Sequence, residues 1–251
     1  MFLNGKIALV TGGSHGLGSF VVRALTAAGA QVAFTYASRQ DLADALAADL
    51  MGADAPGVQP LRSDATSTSE AAAAVAACID AFGDVDLLIN NVGGAGPREG
   101  PIWTLSEETW DAVIATNLKS CFNFTRAVAP HFMQRRGGTI VNVGSINGLR
   151  GREGQPAYTA AKAGLLGFTK TIARELGMYD VNVNLITTGY IDTDKQRAKT
   201  NEVSRRRILN DCAMKHLVQP EEVAELIVVL CGPTFRHVTG SVVRLDSGEY
   251  M

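Results

Sequence analysis

The chain has 251 residues, 46% of them hydrophobic and 19% charged, which suits one large α/β domain or two small ones with a sizeable core. A formal net charge of −2 gives no attraction to nucleic acid or to an anionic membrane surface. Cys78, Cys121, Cys212 and Cys231 lack C-x-x-C or dense spacing, and His15, His131, His216 and His237 are scattered, so neither a disulfide scaffold nor a metal centre is expected. No signal peptide precedes the first apolar run and no run is long enough to span a bilayer, so the expected location is cytoplasmic.

Lys6 to Val10 reads as a first strand, and it ends in TGGSHGLG, Thr11 to Gly18, ahead of an amphipathic segment from Ser19 to Ala28. In a strand–turn–helix setting Gly12 permits the tight turn, Gly16 lets backbone approach a diphosphate, and Gly18 lets the helix pack on the strand. The helix N-terminus would then offer N–H groups and a positive dipole end to phosphates. Gln31 to Thr35 is a second strand, followed by Tyr36-Ala37-Ser38-Arg39. An acid at this strand end would accept hydrogen bonds from a free ribose and repel a 2′-phosphate; Tyr36 stands there instead. Arg39 can pair a phosphate through its planar fork, with His15 as a second donor, or it can be a solvated residue opening the next helix.

Gln40 to Met51 has helical spacing, and Val58 to Leu61 is a short third strand. Asp64 after it can cap the next helix, Ser69 to Phe82, or contact an adenine edge. Val85 to Ile89 is a buried strand running into Asn90-Asn91-Val92-Gly93-Gly94, which can pass close to a cofactor or be a simple turn. Ser106 caps a helix expected from Glu107 to about Arg135, bent at Pro130, with Asn117 in its middle either holding a water or serving as a satisfied core amide.

Thr139 to Val143 reads as a fifth strand, which places Ser145 at a carboxyl end, the edge where open α/β sheets bind ligands. If Pro156 opens a helix, Tyr158 and Lys162 share one face a turn apart. An ammonium beside a phenol favours the phenolate, which suits proton transfer. Val181 to Ile186 is a sixth strand, and Thr187 to Thr193 leads into a polar segment, Asp194 to Leu217, with no clear period. Lys195, Arg197, Lys199, Arg205, Arg206, Arg207 and Lys215 make it basic, as a lid over an anionic substrate or as a solvated helical face. A last helix, Glu221 to Leu230, and a seventh strand, Ser241 to Leu245, complete one domain over residues 1–251, with 188–217 as substrate loop and lid.

Strands alternating with helices over the whole length give a doubly wound parallel sheet. With TGGSHGLG, NNVG, Asn117, Ser145 and Tyr158-x-x-x-Lys162 together, the chain resembles the short-chain dehydrogenase/reductase family. The resemblance implies a Rossmann fold with seven parallel strands and helices on both faces, a homotetramer, and NADP(H) or NAD(H) as cofactor. It implies that Tyr158 is the acid/base, that Lys162 holds the nicotinamide ribose and lowers the phenol's pKa, and that Ser145 binds the substrate oxygen. Asn117 is implied to position a water in a relay through Lys162. The cofactor contacts it implies fall on Gly12, Ser14, His15, Gly16, Leu17, Gly18, Tyr36, Ser38, Arg39, Asp64, Ala65, Asn91, Val92, Gly93, Tyr158, Lys162, Gly189, Ile191 and Thr193. The substrate pocket involves Gly94 to Arg98, Ile146, Asn147, Arg150, Gln155, Tyr190 and the 194–217 segment.

Three places depart from the family pattern: Thr188-Gly189 replaces Pro-Gly, Val92 replaces alanine, and Asp246-Ser247-Gly248 replaces Asp-Gly-Gly. The spelling YTAAKAGLLGFTKTIAREL is closest to the 3-oxoacyl-(acyl-carrier-protein) reductases. Arg136 sits where such enzymes are thought to dock the carrier protein, but Tyr179 stands at a second expected arginine, which argues against carrier specificity. The first expectation is an NADPH-dependent ketoreductase acting on a 3-oxoacyl thioester or related small-molecule ketone. The alternative is an NAD(P)-dependent dehydrogenase of a secondary alcohol such as a sugar, steroid or dihydrodiol. A redox-inactive dinucleotide sensor is the third, but a binding module has no need of Tyr158 beside Lys162.

Overall fold

The computed structural model describes residues 2–51, 57–94 and 99–251, apart from the side chains of Lys195 and Lys199. The expected pocket residues Ala95 to Arg98 and the basic side chains of Lys195 and Lys199 thus lie outside the described residues. Seven strands form one sheet: β1 Ile7–Val10, β2 Gln31–Tyr36, β3 Val58–Arg62, β4 Leu87–Asn90, β5 Gly138–Ser145, β6 Val181–Thr188 and β7 Val242–Leu245. Their order is β3-β2-β1-β4-β5-β6-β7 and every pairing is parallel. The chain reverses its direction of winding between β1 and β4, which opens a crevice at the carboxyl ends of those strands.

Alternation along each strand divides the core. Ala8, Val10, Val32, Phe34, Leu87 and Ile89 face one side, covered by α1 Leu17–Ala27, α2 Gln40–Leu50 and α10 Pro220–Leu230. Ile7, Leu9, Ala33, Leu88 and Ile140 face the other, under α3 Thr68–Phe82, α5 Ser120–Arg135 and α7 Pro156–Leu176. Phe34, Phe124 and Phe132 are fully buried, each stabilising the fold by roughly 2 kcal/mol through apolar burial. This is the expected doubly wound Rossmann sheet. No helix among the described residues is long and apolar enough to cross a membrane.

Three local expectations need correction. The helix expected over 107–135 is interrupted: α4 Glu107–Ile114 passes into a π-helical turn, Ala115–Lys119, before α5. The break falls at Asn117 and not at Pro130, which stays inside α5. The Asn117 amide donates to the Val113 carbonyl at 3.0 Å and so competes with the backbone ladder there. Asp64 is not the cap of α3. That cap is Ser67, which accepts from the Glu70 N–H, while Asp64 accepts from the Thr66 N–H at 2.9 Å.

The polar segment after β6 is also structured, as α8 Asp194–Lys199 and α9 Glu202–Asp211. Thr193 caps the first by accepting from Gln196, and Asn201 caps the second by accepting from Ser204 at 2.8 Å. No residue of α9 is buried, so no apolar period marks it in the sequence. Asp192 anchors the segment through a two-pronged pair with Arg205, both arms 2.7 Å.

Candidate active site

A cleft of about 750 Å³ runs along the carboxyl edge of the sheet, from the glycine turn to Tyr158. Every cofactor residue expected from the sequence lines it, as do Gly94, Ser145, Ile146, Asn147, Gln155, Tyr158 and Tyr190 of the expected substrate residues, and Asn117 stands behind its wall.

At the β1 end the turn is fixed from two sides. The Gly12 N–H donates to Thr35 Oγ1 at 3.0 Å, and Asn91 Nδ2 donates to the Thr11 and Gly12 carbonyls at 3.0 and 3.1 Å. Gly12 has φ +66°, and a Cβ on Gly18 would stand 2.1 Å from the Gly12 carbonyl oxygen, so that packing requires glycine. Helix α1 has no side-chain cap and no acid in its first turn, and a Cβ on Gly16 would meet nothing within 4 Å. Open space at an uncapped helix start, with free N–H groups and a positive dipole end, fits a diphosphate. Ser14 and His15 sit in the same turn, 3.0 Å apart from Oγ to Nδ1.

At the end of β2 the cation expected to meet a 2′-phosphate is engaged. Arg39 donates to both oxygens of Asp41, Nε at 2.9 Å and one terminal nitrogen at 2.6 Å. That bond holds the exposed Asp41 carboxyl down at about 2. Tyr36 and Ser38 line the cleft beside Arg39, with no acid at the strand end itself. Asp64 and Ala65 close this side.

Between the ends of β4 and β5 the wall depends on Lys162, a residue of α7 that is 3% exposed. Its Nζ donates to the Val143 carbonyl at 2.9 Å, which takes one of the three N–H groups of a buried ammonium. The Nζ lies 5.8 Å from the centroid of the Tyr158 ring, as expected for residues one turn apart on α7. Asn117 uses its carboxamide on the loop beside them: Oδ1 accepts from the Gly94 N–H and Nδ2 donates to the Gly94 carbonyl, both at 2.9 Å. A Cβ on Gly93 would lie 2.9 Å from both Asn117 Oδ1 and Lys162 Nζ, so only glycine lets the loop pass them. Ser145 ends β5 inside the cleft, its Oγ accepting from the Asn147 N–H at 3.2 Å. Gln155 Oε1 in turn accepts from Asn147 Nδ2 at 3.2 Å.

At the far end two residues differ from expectation. Arg150, expected to line the pocket, is held behind its wall in a pair with Glu249 at 2.6 Å, and Arg152 lines the cleft instead. Glu249 is a wall residue that sequence reasoning missed. Its side chain is 6% exposed, and its second oxygen accepts from the Tyr190 N–H at 3.0 Å. It occupies the space beside Gly189, where a Cβ would come within 2.8 Å of Glu249 Oε2. Thr188, in place of proline, keeps its strand position opposite Ser145 and Leu245, which carries β6 two residues beyond the expected Ile186. The four cysteines are free and buried, and burial pushes the Cys78 and Cys231 thiols up to about 12. None of the four lines the cleft.

Comparison with known proteins agrees with this geometry. Residues 6–204 match the model of the short chain dehydrogenase family. The chain is 37% identical to the 3-oxoacyl-(acyl-carrier-protein) reductase FabG of Vibrio cholerae over all of both chains. It is 36% identical to the acetoacetyl-CoA reductase of Shinella zoogloeoides, over 98% of each. Among solved structures, a blue fluorescent protein from a metagenomic library, in complex with NADPH, superposes with TM-score 0.92 at 33% identity over all of both chains. A short-chain dehydrogenase/reductase from Serratia marcescens gives the same TM-score, 0.92, at 32% identity over 99% of each. This chain is an oxidoreductase that belongs to the short-chain dehydrogenase family.

Proposed function

We propose that the protein is an NADPH-dependent ketoreductase that reduces a 3-oxoacyl thioester or a related ketone to the secondary alcohol. The carrying observation is that Ser145, Tyr158 and a buried Lys162 line the same cleft as the glycine turn and the uncapped start of α1. Gly12 to Gly18 would hold the diphosphate, Arg39 with Ser38 the 2′-phosphate, and Asp64 with Ala65 the adenine. Asn91 to Gly93, Lys162 and the loop from Gly189 through Ile191 to Thr193 would hold the nicotinamide half. When bound, the cofactor supplies hydride to the carbonyl carbon. The Ser145 hydroxyl donates to the carbonyl oxygen as negative charge grows there. Tyr158 gives its proton to that oxygen, and the adjacent Lys162 ammonium stabilises the phenolate left behind. Asn117 holds the loop at Gly94, close by Lys162, and in this reading orders a water that returns the proton through Lys162. Segment 188–217 serves as the lid.

The relatives named for reduction of oxoacyl thioesters support the direction and the substrate class. Docking on an acyl carrier protein has less support. Arg136 stacks on Tyr179 at 6.0 Å and donates to the Met178 carbonyl at 3.0 Å, so its guanidinium is already engaged. A homotetramer remains part of the reading, supported by exposed Trp110 and Phe122 on the consecutive helices α4 and α5. The alternative is an NAD(P)-dependent dehydrogenase acting on an alcohol; Asp41, which engages Nε and one terminal nitrogen of Arg39, competes with a 2′-phosphate there and so favours NAD(H) in either reading.

Absorbance of the reduced nicotinamide separates the two. NADPH and NADH are each tested against an acetoacetyl thioester, a simple diketone, a cyclic ketone and a keto sugar. Rapid NADPH consumption with the thioester is the expected result. Turnover with NADH alone, or of alcohols with oxidised cofactor alone, contradicts the reading and favours the dehydrogenase.

A further inference from the structure

Helix α7 carries both Tyr158 and Lys162, and its start is completed by a residue distant in sequence. Pro156 has no N–H, and Gln155 at the N-cap position makes no side-chain cap. The Thr159 N–H reaches the Gln155 carbonyl at 2.9 Å, which leaves the Ala157 and Tyr158 N–H groups to be satisfied. One carboxylate, 58 residues upstream, takes both. Glu99 Oε2 accepts from Ala157 at 2.7 Å, and its two oxygens accept from Tyr158 at 3.2 and 3.3 Å. A negative charge there also meets the positive end of a 21-residue helix. Gly94, at the near end of the same connection, is held by Asn117. The chain leaving β4 is therefore fastened to the π turn at Gly94 and to the catalytic helix at Glu99.

We propose that Glu99, which does not line the cleft, is a positioning residue for the reaction. Its carboxylate fixes the backbone of Tyr158, and through it the phenol's alignment with Ser145 and Lys162, so it governs turnover and not cofactor affinity. Because Glu99 caps the helix, the Gln155 side chain is released to Asn147 on the substrate side. The inference rests on the role given to Tyr158 above.

The test compares Glu99→Ala, Glu99→Gln and Tyr158→Phe, with Ser106→Ala as a control that removes a cap of similar kind from α4. Glu99→Ala should lower kcat about tenfold with the KM for NADPH within about twofold, since misplacement of a reacting group costs rate before binding. Glu99→Gln, which keeps one acceptor oxygen, should recover part of the loss and serves if the alanine variant folds poorly. Hydrogen exchange, read without cofactor, should speed up at the Ala157 and Tyr158 amides. Wild-type kcat in Glu99→Ala, or a loss no greater than that of Ser106→Ala at equal thermal destabilisation, overturns the proposal. If Tyr158→Phe is inactive in that case, only the role of Glu99 fails. If Tyr158→Phe stays active, the functional reading fails with it.

Discussion

At the glycine-turn end of the cleft, a short motif packs backbone on backbone, braced by the side chains of Thr35 and Asn91. At the Tyr158 end, position is set by side chains reaching over 58, 59 and 99 residues, in Glu99 to Ala157, Glu249 to Tyr190 and Arg150 to Glu249. At Gly18 the first end tolerates no added atom, because that residue abuts the Gly12 carbonyl. The second is a set of polar contacts between residues far apart in sequence. The cofactor end thus depends on close packing at Gly18, and the substrate end on hydrogen bonds and ion pairs.

The sharpest way to test that contrast is to damage each end once. Gly18→Ala places a Cβ against backbone that cannot move aside, and should cost about 1–3 kcal/mol of stability along with most dinucleotide binding. Calorimetric unfolding and cofactor titration read both. Glu249→Gln should leave cofactor affinity alone while raising the KM for the ketone, because it weakens the Arg150 pair and the hold on Tyr190. A stability cost of about 1–3 kcal/mol accompanies the loss of a charged hydrogen-bond partner. Equal damage to cofactor and ketone binding would show that the two ends are not independent.

The smallest effect concerns the helical segment after β6. The hydrogen bond from Arg205 holds the Asp192 carboxyl below the usual range, with Arg197 assisting and burial opposing. A carboxyl depressed in the folded state contributes stability above its unfolded value of about 3.9, and loses it as pH falls through the folded value. Asp192→Asn should therefore unfold more readily than the wild type at neutral pH, with the gap closing in acid. A gap independent of pH would mean that the pair does not anchor α8 and α9.

How much could be read beforehand follows the same division. The strands were legible as apolar runs because both faces of the sheet are covered, and Ser145, Tyr158 and Lys162 converge because strand end and helix spacing are local geometry. The π turn left only one trace, an asparagine in mid-helix, whose carboxamide bonds both to Val113 within the helix and to Gly94, far off in sequence. Helices α8 and α9 did carry signals, in Thr193-Asp194 and Asn201-Glu202 as caps followed by acids. Without a buried stripe these signals had nothing to support them. The turning of Arg150 to Glu249 was not legible, because no local rule pairs residues 99 apart. The Arg39–Asp41 pair was within reach, since the two lie only two positions apart in the sequence and are both exposed.

The central claim is that Tyr158 delivers the proton in this cleft, and replacing it with phenylalanine tests that most directly. NADPH consumption by Tyr158→Phe is measured beside the wild type, with cofactor binding followed separately. Turnover should fall by about a hundredfold or more while cofactor affinity stays within about twofold, since the phenol's task is proton transfer. A variant that reduces the ketone at the wild-type rate would contradict it.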